Sequence, residues 1–260
     1  MYPYINMGFM ELPTYLVIFS IGYVLMTLRA CQVGTEYGYN KRDIVGVSVY
    51  AAVGLVIGAK LLYFISIIPD AITRYTELKK MWELASIEVI NYLFGGMVYY
   101  GGLFGTILGA YFYSRQHFIP YAPMMNMYAP LIPFVHAFGR VGCFMAGCCY
   151  GIEYSGLGCV QFPGEDISRI PVQLIEAVLN LIIAVVLEWL RHKKDSGKDG
   201  TLLGIYFVYY SVIRFVLEFF RGDQIRGGIG LLSTSQIISL LLLPVGIMLI
   251  QGKHYKKREV

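Results

Sequence analysis

The sequence predicts an all-α integral membrane protein with seven transmembrane helices, the N-terminus outside and the C-terminus cytoplasmic. Three observations carry that expectation. The 260 residues are 57% hydrophobic and 15% charged, with a mean hydropathy of +0.58, which is too apolar for a soluble fold of this size to conceal. Runs of about 18 or more mostly apolar residues, the length that crosses ~30 Å of hydrocarbon, recur along nearly the whole chain. Basic residues gather in alternate loops, the asymmetry that orients a membrane protein.

Taken in order, the first run is 13–28. The preceding residues 1–11 lack a basic segment and no small-residue cleavage site follows, so this run reads as an anchor and not a cleaved signal. The second, 44–68, contains Lys60, whose long stem lets its ammonium snorkel. The third, 93–114, carries Gly95, Gly96, Gly101, Gly102, Gly105 and Gly109 at spacings that let helix backbones approach. The fourth, 121–150, holds Pro123, Pro130 and Pro133, which are expected to kink or interrupt it. The fifth, sixth and seventh are 170–190, 201–220 and 231–250.

Arg29, Lys41, Arg42, Arg115, Arg191, Lys193, Lys194, Lys198, Lys253, Lys256, Lys257 and Arg258 fall on one side of these runs. Arg74, Lys79, Lys80, Arg169, Arg221 and Arg226 fall on the other, with most acidic loop residues. The first side is read as cytoplasmic. The net charge of +4 then reports topology and not nucleic-acid binding. No fixed-period repeat is visible and the longest loops, about 69–92 and 151–169, are both external, so residues 1–260 read as a single domain.

Residues 136–151, HAFGRVGCFMAGCCYG, place an arginine, four glycines and three cysteines in this apolar setting. Cys143, Cys148 and Cys149 lack the C-x₂-C pairs and partner histidines of a zinc or iron–sulfur centre, and His136 alone does not complete one. They are read as small packing residues, with no metal or other cofactor expected; a disulfide of Cys143 or Cys148 with Cys159 stays open. The interior charges are sharper, because each costs about 2.5–3.5 kcal/mol at the bilayer centre unless it faces protein or water. Arg140, Glu176, Arg214 and Glu218 stand out, the last two at i, i+4 on one helix face, with Arg221 just beyond. An ion pair holding helices together is one reading. The other is an anionic headgroup site, since guanidinium forks bind phosphate oxygens bidentately.

These segments resemble the prolipoprotein diacylglyceryl transferase family. GRVGCFMAGCCYG at 139–151 is similar to that family's G-R-x-G-N-F-x-N-G-E-x-x-G, and APLIPF at 129–134 precedes it as it does there. YGGLFG at 100–105 looks like H-G-G-L-I-G, and IPVQLIE at 170–176 looks like H-P-x-Q-L-Y-E. IRFVLEFFRGD at 213–223 and LSTSQIISL at 232–240 resemble R-x-x-x-E-F-F-R-x-P-D and M-G-Q-x-L-S, in the same order. The resemblance implies a bacterial inner-membrane enzyme that moves diacylglyceryl from phosphatidylglycerol, or a related anionic phospholipid, to the lipobox cysteine of an exported prolipoprotein. Arg140 and Arg214 would clamp the phosphate and Tyr100 would stand at the position of the family's histidine. Glu218 and Arg221 would orient the clamps, and Gln173, Glu176, Tyr99 and Cys143 would line the substrate site. Gly101 and Gly102 would let backbone approach the lipid.

Among the polar groups of the family pattern replaced here, Tyr100 and Ile170 stand for histidines, Cys143 for an asparagine and Cys148 for a glutamate. A tyrosine is a poor base at neutral pH unless a cation lowers its pKa. Two alternatives follow, a paralogue with another acceptor such as a cell-surface glycan, and a lipid-binding protein without catalysis.

Overall fold

Apolar runs divided by Gly, Pro and charged turns become helices over most of the chain, as a lipid-facing backbone requires internal hydrogen bonds. The structure, a computed structural model, describes residues 1–8, 10–76, 79, 92, 95–162, 164, 166–193, 200–222, 228–229 and 232–251. Several loop charges used to orient the chain, among them Glu77, Lys80, Lys194, Lys198, Asp223, Arg226 and Lys253, lie outside the described residues.

A short antiparallel hairpin, β1 (Tyr4–Asn6) and β2 (Glu11–Pro13), precedes α1 (Thr14–Glu36). Then come α2 (Lys41–Thr73), α3 (Tyr99–Gln116), α4 (Tyr121–Tyr128) and α5 (Leu131–Ala146). A second hairpin pairs β3 (Val160–Gln161) with β4 (Ser168–Arg169) within the loop before α6 (Val172–Arg191). The helix α7 (Thr201–Leu217) tightens into a 3₁₀ turn, Glu218–Phe220. A last hairpin, β5 (Gly228–Ile229) and β6 (Leu232–Ser233), leads into α8 (Thr234–Gln251).

Among the described residues, five helical segments are long and apolar enough to cross a membrane: α1, α2, α6, α7 with its 3₁₀ turn, and α8. The bent pair α4 and α5 makes a sixth if counted as one span. The bend, 49°, falls where the prolines of the fourth run were expected to interrupt it. Pro130 occupies the break, and Pro133 and Pro123 sit in the first turns of α5 and α4, where a missing N–H costs no intrahelical bond. The third run is helical as α3, yet it falls outside this count.

Two compact units are resolved, residues 38–121 and residues 1–37 with 122–260. In the 38–121 unit α2 packs along α3 through a face of glycines. A Cβ on Gly101, Gly105 or Gly109 would run into the carbonyls of Gly58, Gly54 and Tyr50. Lys60 donates to the Gly96 carbonyl at 3.1 Å. The two helices therefore meet backbone to backbone, which side chains of any size would prevent.

In the other unit α1 packs on α5, α5 on α6, α6 on α7, and α7 on α8. Ala129, Ile183, Leu187, Leu202 and Tyr206 form a buried core cluster. The buried Asn126 of α4 accepts the Leu202 N–H at 2.8 Å, satisfying a donor that the first turn of α7 would otherwise leave unpaired. The C-terminal ends of α1 and α6 are tied by ion pairs, Arg29–Glu188 at 2.6 Å and Arg191–Glu36 at 2.8 Å, so those two ends lie together.

Candidate active site

Polar side chains in this unit recur at helical spacing within apolar helices. Helix α5 carries His136 and Arg140, α6 carries Gln173, Glu176 and Asn180, and α7 carries Tyr206, Tyr210 and Arg214, continued by Glu218. Residues three or four apart share a helix face, so each helix bears one polar stripe. The packing of α5 on α6 and α6 on α7 turns the stripes toward one another.

Glu176 stands where they meet. Its side chain is 1% exposed, and each carboxylate oxygen faces a different arginine: Arg140 Nη2 lies 3.0 Å from Oε1 and Arg214 Nη1 lies 3.5 Å from Oε2. The Tyr210 hydroxyl donates to Oε1 at 3.5 Å, and His136 Nε2 lies 3.5 Å from the same oxygen. The other His136 nitrogen is 3.4 Å from the Tyr206 hydroxyl. Arg214 continues outward, with Nη2 2.9 Å from Glu218 Oε2 and donating to Ser235 Oγ of α8 at 3.0 Å. Arg221 Nη1 is 3.9 Å from Glu218 Oε2. Three guanidinium groups thus share two carboxylates, and with those ionised the network carries excess positive charge. Two further groups are buried without a hydrogen-bond partner among the described residues, Arg140 Nε and Gln173 Oε1. A buried unpaired donor on a cation is costly unless a ligand supplies the acceptor.

Backbone knits one end of this network. Gly151 N–H donates to the Ile170 carbonyl at 2.9 Å, Ile152 N–H to the Phe220 carbonyl at 2.9 Å, and Gly222 N–H to the Tyr150 carbonyl at 3.0 Å. A Cβ on Gly151 would sit 2.6 Å from the Ile170 carbonyl oxygen and 2.8 Å from that of Phe220, so only glycine fits. Gln173 Nε2 donates to the Cys148 carbonyl at 2.6 Å and fastens the same loop to the start of α6. Gly142 has a different job, lying against the Tyr15 backbone of α1.

Of the residues the sequence singled out, Arg140, Glu176, Arg214, Glu218 and Arg221 come together in one network, and Gln173 adjoins it. Cys143 lies one turn past Arg140 at the end of α5. Tyr100, Gly101 and Gly102 belong to the first turn of α3, in the 38–121 unit, where Gly101 faces Gly58 and a Cβ on Gly102 would lie 3.5 Å from the Ala59 Cβ. Tyr100 is half-buried there, while the Tyr99 side chain lies outside the described residues. All five cysteines are free thiols, so the open pairing with Cys159 is not formed. The sulfurs of Cys143, Cys148 and Cys149 nevertheless lie within 4.8 Å of one another, a grouping that the sequence spacing did not announce. His136, Tyr206, Tyr210 and Ser235 were also missed. The first three had a signal: His136 precedes Arg140 by four residues, and Tyr206 and Tyr210 precede Arg214 by eight and four.

Fold and site together define a multi-pass α-helical membrane protein with a buried, cationic arginine–carboxylate network. More specifically, the chain belongs to the prolipoprotein diacylglyceryl transferase family, whose model matches residues 3–251. It is 29% identical over 256 residues to phosphatidylglycerol–prolipoprotein diacylglyceryl transferase 2 of Clostridium perfringens (strain 13 / Type A), covering 96% of this chain and 94% of that one. The phosphatidylglycerol–prolipoprotein diacylglyceryl transferase of Clostridium tetani (strain Massachusetts / E88) is 28% identical over 249 residues, 94% of each chain. That of Helicobacter pylori (strain G27) is 29% identical over 264 residues, covering 97% of this chain and 93% of its own.

Proposed function

We propose that this protein is a phosphatidylglycerol–prolipoprotein diacylglyceryl transferase. The observation that carries the reading is the Arg140–Glu176–Arg214 network, a pair of guanidinium groups held on opposite oxygens of one buried carboxylate and left with net positive charge. In the reaction the lipobox thiolate attacks the glyceryl carbon bonded to phosphate oxygen. A C–S bond forms, the C–O bond breaks, and glycerol phosphate leaves with the electron pair. Negative charge grows on the phosphate as that bond breaks, so preorganised cations stabilise the transition state more than the ground state.

Arg140 offers the unpaired Nε and is the first phosphate ligand; Arg214 is the second. Glu176 holds both in register, Glu218 and Arg221 set Arg214 from its other side, and Gln173 and Cys143 line the headgroup site. Tyr100, at the position of the family's histidine and with Tyr99, Gly101 and Gly102 beside it, serves the acceptor side as a proton acceptor or a hydrogen-bond donor. The protein crosses a bacterial cytoplasmic membrane seven times, α3 included, with its N-terminus outside; the paired ends of α1 and α6 support a common side for Arg29 and Arg191.

The test is complementation. A host depleted of its own transferase and expressing this chain should show a diacylglyceryl mass shift on a reporter lipoprotein. An unmodified reporter, with the chain inserted at normal levels, would defeat the reading.

A further inference from the structure

Three thiols converge at the C-terminal end of α5, and the proposed transfer gives them no chemistry. The convergence is built by the helix cap. Gly147 takes a left-handed conformation (φ 72°), its N–H donates to the Phe144 carbonyl at 3.1 Å, and the Cys148 N–H donates to the Cys143 carbonyl at 3.1 Å. This pair of bonds is the Schellman arrangement, which folds the second residue past the helix back onto the last turn, where an apolar pair ordinarily meets. Here that pair is Cys148 and Cys143.

The cap accounts for two thiols and not for the third. Cys149 is itself left-handed (φ 63°), a conformation that residues bearing a Cβ adopt reluctantly. Neighbours in an extended chain point apart, whereas this backbone aims Cys148 and Cys149 inward, so that all three sulfurs lie within 4.8 Å of one another. The Gln173 amide pins the Cys148 carbonyl at 2.6 Å and fixes the loop that carries them. Cys148 is exposed and the other two are half-buried, which leaves one side of the group open.

We propose that Cys143, Cys148 and Cys149 form a tris-thiolate site for a thiophilic d¹⁰ cation, Zn(II) or Cu(I). Metal–sulfur bonds of ~2.3 Å put the sulfurs of one trigonal ion about 4 Å apart, so the group closes onto an ion by side-chain rotations of under about 1 Å. On binding, each thiol releases its proton to solvent as its sulfur bonds the metal, with no change in oxidation state. Arg140, three residues before Cys143 on the same helix, supplies positive charge near the resulting anionic complex. The open side leaves a coordination position for water or an added ligand.

The site is tested by bound metal, independently of transferase activity. Full-length protein in detergent is reduced with a phosphine, loaded with Zn(II) in one arm and anaerobically with Cu(I) in the other, desalted, and its metal quantified. Co(II) in place of Zn(II) reports sulfur ligation through a charge-transfer band in the near ultraviolet. One ion per chain is expected in at least one arm, and the arm that retains it identifies the metal. Cys148→Ser and Cys149→Ser should each weaken binding at least about tenfold, roughly 1.4 kcal/mol, while Cys31→Ser, on α1, leaves it unchanged. Matching thermal unfolding of the metal-free variants and the metal-free parent separates lost ligation from lost fold. Absence of retained metal in both arms, unchanged retention after Cys148→Ser with Cys149→Ser, or a disulfide among the three that re-forms under excess metal would each overturn the proposal.

Discussion

The α2–α3 pair and the α5–α6–α7 group solve the same problem in opposite ways. The first brings helices together by omitting side chains, so that Gly101, Gly105 and Gly109 lie on the backbone of α2. The second brings them together around charge, with Glu176 gripped by Arg140 and Arg214. Glycine contacts in lipid gain van der Waals packing without burying charge. Buried ions are expensive, and replacing such a pair by apolar residues is often neutral or stabilising. Charge kept in the second group therefore points to a ligand there, and the glycine face points to assembly.

The largest effect should come from the arginines. Arg140→Ala and Arg214→Ala are each expected to lower turnover by ~10³-fold or more, the scale of losing preorganised charge stabilisation. Lys at either position should recover little, because a point charge does not reproduce bidentate contact. The double variant should fall short of additivity, since both side chains share Glu176. If Arg214→Ala keeps its turnover while its thermal unfolding temperature falls, the charge is a strut and the contrast between the two regions collapses.

Next in size is Tyr100→Phe, expected to cost ~10²-fold in turnover as the loss of one base or donor. Tyr100→His should be tolerated. Full activity in the Phe variant would remove the one chemical role assigned to the glycine-bearing helix and make the division between the regions complete.

His136→Leu should cost about tenfold through a less constrained Glu176, with His136→Asn recovering part of it by keeping a hydrogen bond. Reporter modification rates check this. Complete loss in both variants would instead make His136 the proton acceptor and displace Tyr100 from that role.

Smallest in turnover is Gly105→Ala. Its Cβ meets the Gly54 carbonyl, so stability should drop by ~1–3 kcal/mol while the folded fraction works within about twofold of the parent rate. A collapse in turnover at unchanged stability would show that the glycine face does more than pack.

Much of this architecture was legible because lipid demands it. Apolar length located the helical segments, the three prolines located the 49° bend, and four-residue spacing paired Arg214 with Glu218 at 2.9 Å. The glycine spacing in α3 named the face that meets α2. Long-range geometry was not legible. Nothing within α6 says that Glu176 receives groups from both α5 and α7, and nothing in His136 says that its ring points there. The thiol group escaped notice because a five-residue contact across a helix cap is set by the conformation of Gly147, and metal-site spacing rules do not describe it. The hairpins of two or three residues are too short for alternation to register.

The backbone stitches around Gly151 have a mechanical meaning. They bind the end of α5, the start of α6 and the end of α7 through main-chain bonds that no rotamer change releases. The opposite ends are joined by side chains instead, Asn126 of α4 to the start of α7 and Arg191 of α6 to Glu36 of α1. Any loosening of this helix group therefore begins at the rim held by side chains, where a rotamer change releases a contact, while the rim stitched by main chain stays in register.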